Sequence, residues 1–433
     1  MVTDLASKKM APGRFIALGF ATVILIGTGL LLLPISHNDG VAVSLIDALF
    51  TSTSAVCVTG LIVVDTADTY SIFGRTVVAL LIQIGGLGIT AIGVGLIIMS
   101  GKKVGIRERL LAKEALNYGS LQGVLGLVKA VLITTLAFEF AGMVLSFFSF
   151  IRDYSFWDAV GISAFHSIAA FNNAGFDILG GLQNLIPYKD DVLLNLTTCG
   201  LIIFGGLGFF VILELLKYRS FRKLSLHSKV VLTVTPALLI GGTLLLKATE
   251  NISWLSAFFF STSARTAGFS TISLSEFSNA GLFALIILMF IGASPGSTGG
   301  GIKTTTFFVL ICSVIGVSTN KSISAYKRRL PRELIITAFI IATLAISVVC
   351  VSTFVLCIFE PDRSFLSLLF EVVSAFGTVG LSTGITPDLC TASKAVIVLT
   401  MFIGRVGPLT VASLWFFKTV SRVQYAEGSL AVG

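Results

Sequence analysis

Long apolar stretches separated by short polar ones dominate the chain, near 14–34, 73–100, 122–150, 192–216, 229–247, 279–316, 332–359 and 393–417. Each reaches the roughly 20 mostly apolar residues that a helix needs to cross a bilayer. The pattern therefore predicts eight spanning helices with both chain ends on one side. Within each successive pair of stretches lies a shorter apolar run, at 43–55, 156–170, 254–263 and 365–375. Runs of about 10 to 15 residues are too short to span and predict re-entrant helices. Each is followed by one glycine, Gly60, Gly175, Gly268 or Gly380, and then by a large apolar residue.

This recurrence divides the chain into four copies of helix, re-entrant helix, extended strand and helix, over 14–100, 122–217, 228–316 and 331–424. Internal repetition predicts that the copies pack about a shared axis. The expected fold is an all-α polytopic membrane protein, four membrane-pore-membrane repeats in pseudo-fourfold symmetry around one pore.

Composition agrees: 433 residues that are 55% hydrophobic and 12% charged, with a mean hydropathy of +0.97, exclude a soluble domain. Lys8, Lys9 and Arg14 before the first apolar run resemble the start of a signal peptide. That run is long for one, and Pro34-Ile35-Ser36 is a poor cleavage site, so a retained helix is expected. Of the 30 Lys and Arg residues, 20 fall in the alternate polar segments 8–14, 102–113, 217–229, 321–332 and 418–422, while most acids lie on the other side. The asymmetry places both termini in the cytoplasm. The net charge of +8 reflects that inner face, and nucleic acid is not needed to explain it. The basic connectors 101–121, 217–229 and 321–332 set topology and offer a docking surface for a cytosolic partner. Six cysteines without a CxxC pair and three scattered histidines predict neither a disulfide framework nor a metal centre.

Aligned on their glycines, the four segments read AVCVTG, AFNNAG, SARTAG and AFGTVG. A cation leaving water needs replacement oxygens, and backbone carbonyls supply them where several segments converge. Glycine lets the backbone approach an ion without a side chain in the way. The C-terminal ends of the re-entrant helices add partial negative charge. The expected cation filter is Val58, Thr59, Gly60; Asn173, Ala174, Gly175; Thr266, Ala267, Gly268; and Thr378, Val379, Gly380. Thr59, Asn173, Thr266 and Thr378 either hold the loops by side-chain hydrogen bonds or act as ordinary helix-end caps. Arg265 is expected to turn behind the filter and pair with carbonyls or with an acid, Glu371 being one candidate.

A second glycine cluster follows each filter glycine at 25, 30, 24 and 24 residues: Gly85-Gly86-Leu87-Gly88, Gly205-Gly206-Leu207-Gly208, Gly292-Ala293-Ser294-Pro295 and Gly404-Arg405-Val406-Gly407. Close helix packing accounts for most of the first two. The third differs, because Gly292, Ala293, Ser294, Pro295, Gly296, Ser297, Thr298, Gly299, Gly300 and Gly301 cannot stay helical when glycine costs about 1 kcal/mol and proline about 3 per interior position. The sixth span must break, which a membrane tolerates only in buried or water-lined backbone. Arg405 either faces the pore as an electrostatic barrier or packs against carbonyls of the broken span, and the two are compatible. Lys303 is expected to anchor the loop toward the inner side.

Together the four aligned glycines, the GASPGSTGGGIKT loop and the GRVGP segment resemble the Trk/Ktr/HKT superfamily of potassium transporters over almost the whole chain. Eight spans without an extra N-terminal pair are similar to the Ktr-type membrane (ion-translocating) subunit. The resemblance implies potassium uptake across the cell membrane, often sodium-dependent, by a homodimer in which each subunit has its own pore. It also implies a cytosolic ring of nucleotide-binding regulatory subunits of the RCK/KTN type, with no organic cofactor in this chain. The broken-helix loop would be the gate and Arg405 its counterpart below the filter. Sodium-preferring members of the plant branch carry serine where Gly60 stands, which implies potassium here.

Two catalytic readings fail on context. Gly292-Ala293-Ser294-Pro295-Gly296 matches the G-x-S-x-G elbow without a strand-to-helix turn or a nearby base. The run from Gly296 to Thr304 imitates a phosphate loop, but Ile302 displaces its lysine by one position. The serious rival is a sodium-selective or sodium-coupled secondary carrier built from broken helices.

Overall fold

Four serines open the four short apolar helices. Ser44, Ser155, Ser253 and Ser364 each accept the backbone N–H three residues on, from Asp47 at 3.2 Å, Asp158 at 3.4 Å, Ser256 at 3.1 Å and Ser367 at 3.1 Å. Such caps satisfy donors that a helix start leaves unpaired. The computed structural model describes residues 12–100, 104–115 and 123–415. The sequence readings at Lys8, Lys9, Lys102, Lys103, Lys418 and Arg422, and those for the connector residues 116–121 and the end of the fourth copy, lie outside the described residues.

The first quarter contains α1 (Pro12–Leu31), α2 (Leu45–Val56), α3 (Thr66–Thr69), α4 (Ile72–Leu87), α5 (Ile89–Met99) and α6 (Ile106–Ala115). The second holds α7 (Val124–Phe150), α8 (Phe156–Phe171), α9 (Val192–Leu207) and α10 (Phe209–Tyr218). The third holds α11 (Leu226–Thr249), α12 (Trp254–Ser263), α13 (Asn279–Phe290) and α14 (Thr304–Ser318). A small hairpin, Ser324–Ala325 against Arg328–Arg329, leads to α15 (Arg332–Phe359), α16 (Phe365–Gly377), α17 (Thr391–Val406) and α18 (Pro408–Trp415). The architecture is that of an all-α, multi-pass membrane protein.

The leading helix of each quarter, α1, α7, α11 and α15, is continuous over 20, 27, 24 and 28 residues, long enough to cross a bilayer. The trailing helices are all interrupted. α4 and α5 meet at 96°, and α9 and α10 at 95°. The corners are Gly88 and Gly208, with φ of +83° and +92°, and Gly407 at +94° separates α17 from α18. The glycine clusters that packing was expected to explain therefore do two things. Their last glycine turns the chain, and their first lets the trailing helix press on the end of a short helix. Gly85, Gly205 and Gly404 lie so close to the carbonyls of Val56, Phe171 and Phe376 that no side chain fits. Those three carbonyls stand four residues before Gly60, Gly175 and Gly380.

The short helices are also gripped from outside. Gly27 of α1, Gly142 of α7 and Gly242 of α11 leave room for Ser52, Ser167 and Ser261. Their hydroxyls donate to the carbonyls of Ile24 at 2.7 Å, Glu139 at 2.6 Å and Leu239 at 2.8 Å. Small residues permit close approach, and hydroxyl bonds fix the register where lipid offers no hydrophobic drive between helices. A common apolar core, with Phe50, Phe171, Phe260 and Phe376 fully buried, surrounds the ends of the short helices.

Candidate functional site

α2, α8, α12 and α16 end within a few residues of Gly60, Gly175, Gly268 and Gly380, and the four glycines close a ring. A Cβ on Gly60 would lie 3.0 Å from the Cα of Gly175, and one on Gly175 would lie 3.0 Å from that of Gly268. A Cβ on Gly268 would lie 2.9 Å from Gly380, and one on Gly380 would lie 2.9 Å from Gly60. Each absent side chain would also strike the carbonyl of the residue before the next glycine: Ala174, Ala267, Val379 and Thr59 in turn. Chain order and ring order coincide.

The backbone of these segments is not the extended strand expected. The glycines have φ of +90°, +68°, +81° and +95°, and the residues two before them, Val58, Asn173, Thr266 and Thr378, have +51°, +58°, +81° and +50°. Positive φ alternating with ordinary φ thus recurs in all four segments. For β-branched Val58, Thr266 and Thr378 this is a sparsely populated conformation, costing on the order of 1–3 kcal/mol each. Such strain persists only where the surroundings over-determine it, and Val58, Thr59, Asn173, Ala174, Thr266, Ala267, Thr378 and Val379 are all fully buried.

The hydroxyl roles divide. The Asn173 amide and the Thr266 hydroxyl are 3.1 Å apart, and Thr378 Oγ1 accepts from Gly300 N at 3.0 Å. Thr59 Oγ1 has no hydrogen-bond partner among the described residues, so its expected loop-holding role is not seen. Two serines missed at the sequence level do that work: Ser54 accepts from Gly60 N at 3.1 Å and Ser374 from Gly380 N at 3.0 Å. Both stand six residues before their glycine, a fixed offset visible in the sequence.

Arg265 is buried behind the ring and donates from Nη1 to the carbonyl of Thr235 at 3.4 Å. The proposed pairing with Glu371 is corrected. That carboxylate instead accepts from Ser382 Oγ at 2.7 Å, Thr383 N at 2.9 Å and Thr386 Oγ1 at 2.7 Å, fastening the loop after Gly380. Hydroxyls and an amide next to the carboxylate satisfy it without a cation. A second buried carboxylate also escaped the sequence reading. Glu139 accepts from Asn172 Nδ2 at 3.0 Å and Gln83 Nε2 at 3.2 Å, directly behind the second ring segment.

On one side of the ring, Gly60, Gly268 and Gly380 face a cavity of about 180 Å³ with Asp177 and Asn184 in its wall. Burial pushes the Asp177 carboxyl up to about 7, partly offset by hydrogen bonds from Leu179 N and Asn184.

On the other side the chain between α13 and α14 passes directly beneath the ring. Gly299 abuts Thr266 Oγ1, and a Cβ on Gly300 would lie 2.5 Å from Thr378 Oγ1. The loop is tied to the helix breaks around it. Ser294 N donates to Gly206 O at 3.0 Å and Thr298 N to Gly205 O at 3.3 Å, carbonyls left free where α9 ends. Arg405 does the same for α4, donating to the carbonyls of Gly85 and, at 3.4 Å, Gly86, while its other nitrogen donates to the carbonyl of Thr298. Lys303 Nζ donates to Gly299 O at 2.5 Å, and Gly292 N to Ile302 O at 2.8 Å closes the base of the loop. Ser297 Oγ turns inward to Ser294 O at 2.6 Å, and Phe209 N donates to Gly296 O at 3.1 Å beside Pro295. Gly292, Ala293, Ser294, Pro295, Gly296, Ser297, Thr298, Gly299, Gly300, Gly301, Lys303 and Arg405 thus form one connected body under the ring.

A model of the TrkH family, described as a cation transport protein, matches residues 8–230 and 224–420. The chain is similar to Ktr system potassium uptake protein B of Bacillus subtilis, 38% identical over 98% of this chain and 97% of the relative. It is similar to the potassium/sodium uptake protein NtpJ of Enterococcus hirae, also 38% identical, over 98% of each. The crystal structure of the potassium transporter TrkH from Vibrio parahaemolyticus shares the fold, with a TM-score of 0.75 at 19% identity over 95% of this chain and 86% of that one.

Proposed function

The chain belongs to the TrkH family of cation transport proteins, and from that premise we propose that it takes potassium into the cell through the ring of Gly60, Gly175, Gly268 and Gly380. Its family and relatives are ion transporters, and it is a multi-pass membrane protein, not an enzyme. The four quarters 14–100, 122–217, 228–316 and 331–424 act as repeats around one pore. The observation that carries the reading is the closed ring, in which four glycines with positive φ meet Cα to Cα. Converging carbonyls replace an ion's hydration shell, and four helix C-termini, each worth roughly half a negative charge, favour a cation there.

The cavity beside Asp177 is the outer vestibule, and the loop 292–301 with Lys303 and Arg405 is the gate on the cytoplasmic side. The positive guanidinium opposes a cation leaving the filter while its donors hold the loop shut. Homodimeric assembly in the plasma membrane, cytoplasmic termini, stimulation by sodium and control by a cytosolic RCK/KTN-type nucleotide-binding ring belong to the same proposal. The similarity to relatives named as Ktr potassium uptake proteins supports it. The name of the Enterococcus relative favours a second reading, a sodium-selective or sodium-coupled carrier of the same architecture. Uptake of potassium and of sodium in a transport-deficient cell, with and without cytosolic partner subunits, tests both. Saturable potassium uptake that persists without sodium supports the first, and obligatory sodium cotransport supports the second.

A further inference from the structure

The four ring glycines are not held alike. Gly60 and Gly380 are latched through their N–H groups to Ser54 and Ser374 of their own short helices. The residue at that offset from Gly175 is Ala169, which has no hydroxyl. The residue at that offset from Gly268 is Thr262, whose hydroxyl is engaged by Phe258 O at 2.9 Å. The second segment therefore lacks a serine latch, whereas in the third Gly268 N donates to Ser263 O at 3.3 Å and Ser263 Oγ donates to Phe269 O at 2.5 Å.

One side chain serves both. Asn184, in the vestibule wall, donates from Nδ2 to Gly175 O at 3.3 Å and to Asp177 Oδ2 at 3.0 Å. Its Oδ1 accepts from Ser270 N at 3.0 Å and Leu185 N at 2.9 Å, and Leu185 N also donates to Ser270 O at 3.1 Å. Ser270 stands two residues after Gly268, so the carboxamide ties the unlatched second segment to the serine-held third one. Asparagine suits the place. Its φ of +50° is one that Asn tolerates better than most side chains, and a carboxamide presents a donor and an acceptor on separate atoms that can reach two segments at once.

We propose that Asn184 is a positioning residue for ion selectivity, fixing the Gly175 carbonyl on the ring and locking the second segment to the third. The inference rests on the glycine ring being the filter. A ring of carbonyls discriminates against a smaller ion when it cannot contract around it. Without the clamp, Gly175 O is free to close on sodium.

The test uses full-length protein in liposomes, with rubidium tracer uptake measured against competing sodium. Asn184→Asp keeps the acceptor for Ser270 and the left-handed backbone but removes the donor to Gly175. Asn184→Gly removes both functions. Sodium should compete about three- to tenfold better in either variant, the scale of one lost hydrogen bond. Adding Ala169→Ser to Asn184→Gly supplies the missing latch and should restore part of the discrimination, which a general loss of folding would not allow. Unchanged competition in both variants overturns the inference if Gly60→Ser, measured alongside, still lowers discrimination. If Gly60→Ser is also silent, the filter reading itself has failed. Should Asn184→Gly not assemble, Asn184→Asp decides alone.

Discussion

Arg405 at the end of α17 donates to the carbonyl of Thr298, so the last trailing helix holds the loop that interrupts the third quarter. The same guanidinium caps Gly85 and Gly86 where α4 breaks. Of the two alternatives read for Arg405 in the sequence, the packing against carbonyls is seen, and it keeps the charge beneath the ring, where the proposed barrier would act.

Replacing it should open the path and weaken the protein together. Arg405→Ala removes the charge below the filter and frees Thr298, so potassium flux in liposomes should rise severalfold. Three carbonyls lose a charged donor, each worth about 1–3 kcal/mol when buried and left unpaired, so the melting temperature should fall. A folded variant with slower flux would show that the residue is only structural.

Removing the loop itself makes the parallel case. Deletion of residues 296–301 takes out Thr298 and the glycines that abut Thr266 and Thr378, and potassium should pass faster than through the intact protein. Because Thr298 also caps α9 through Gly205 O, some loss of thermal stability should accompany it. Unaltered flux in a deletion that still folds removes the loop from the gating role.

Much of this site was legible in the sequence, for reasons that differ by feature. The four segments that converge on the ring were visible because short apolar runs ending in a glycine recur, and the break in the third quarter because ten residues rich in Gly, with a Pro, cannot be helical. The right-angle corners at Gly88 and Gly208 were not anticipated. A glycine near a helix end is equally compatible with close packing, and only three-dimensional context makes its φ positive. The pairing of Arg265 with Glu371 failed because a buried carboxylate was assumed to need a cation, whereas Ser382, Thr383 and Thr386 supply enough donors locally. Asn184 was unreadable in principle, since its partners Gly175 and Ser270 belong to segments that meet only in the folded ring.

At the ring, Gly60→Ser tests selectivity directly. With φ of +90° and a Cβ position 2.5 Å from Ala174 O, any side chain forces that carbonyl or its own backbone to move. Discrimination between potassium and sodium should drop, by about tenfold or more if one ligand of four is displaced, since tenfold corresponds to only about 1.4 kcal/mol. Competition by sodium in the liposome assay measures it. Unchanged competition counts against the filter assignment.

Behind the second filter segment, the network of Glu139, Gln83 and Asn172 gives a test of what a buried carboxylate contributes. Asn172 Nδ2 also donates to Gln83 Oε1 at 2.8 Å, so three side chains from α7, α4 and the end of α8 share one cluster beside Asn173. No Lys or Arg forms an ion pair with Glu139 among the described residues. Its worth therefore lies in hydrogen-bond acceptance. Glu139→Gln preserves an acceptor for Asn172 and should melt close to the parent in detergent with potassium present. Glu139→Leu takes the acceptor from Gln83 Nε2, while Asn172 keeps Gln83 Oε1 and Ile168 O, and should lose about 1–3 kcal/mol, with poorer exclusion of sodium because Asn172 adjoins Asn173. If the glutamine variant proves as unstable as the leucine one, the charge itself is needed at this position, and hydrogen-bond acceptance alone does not account for the cluster.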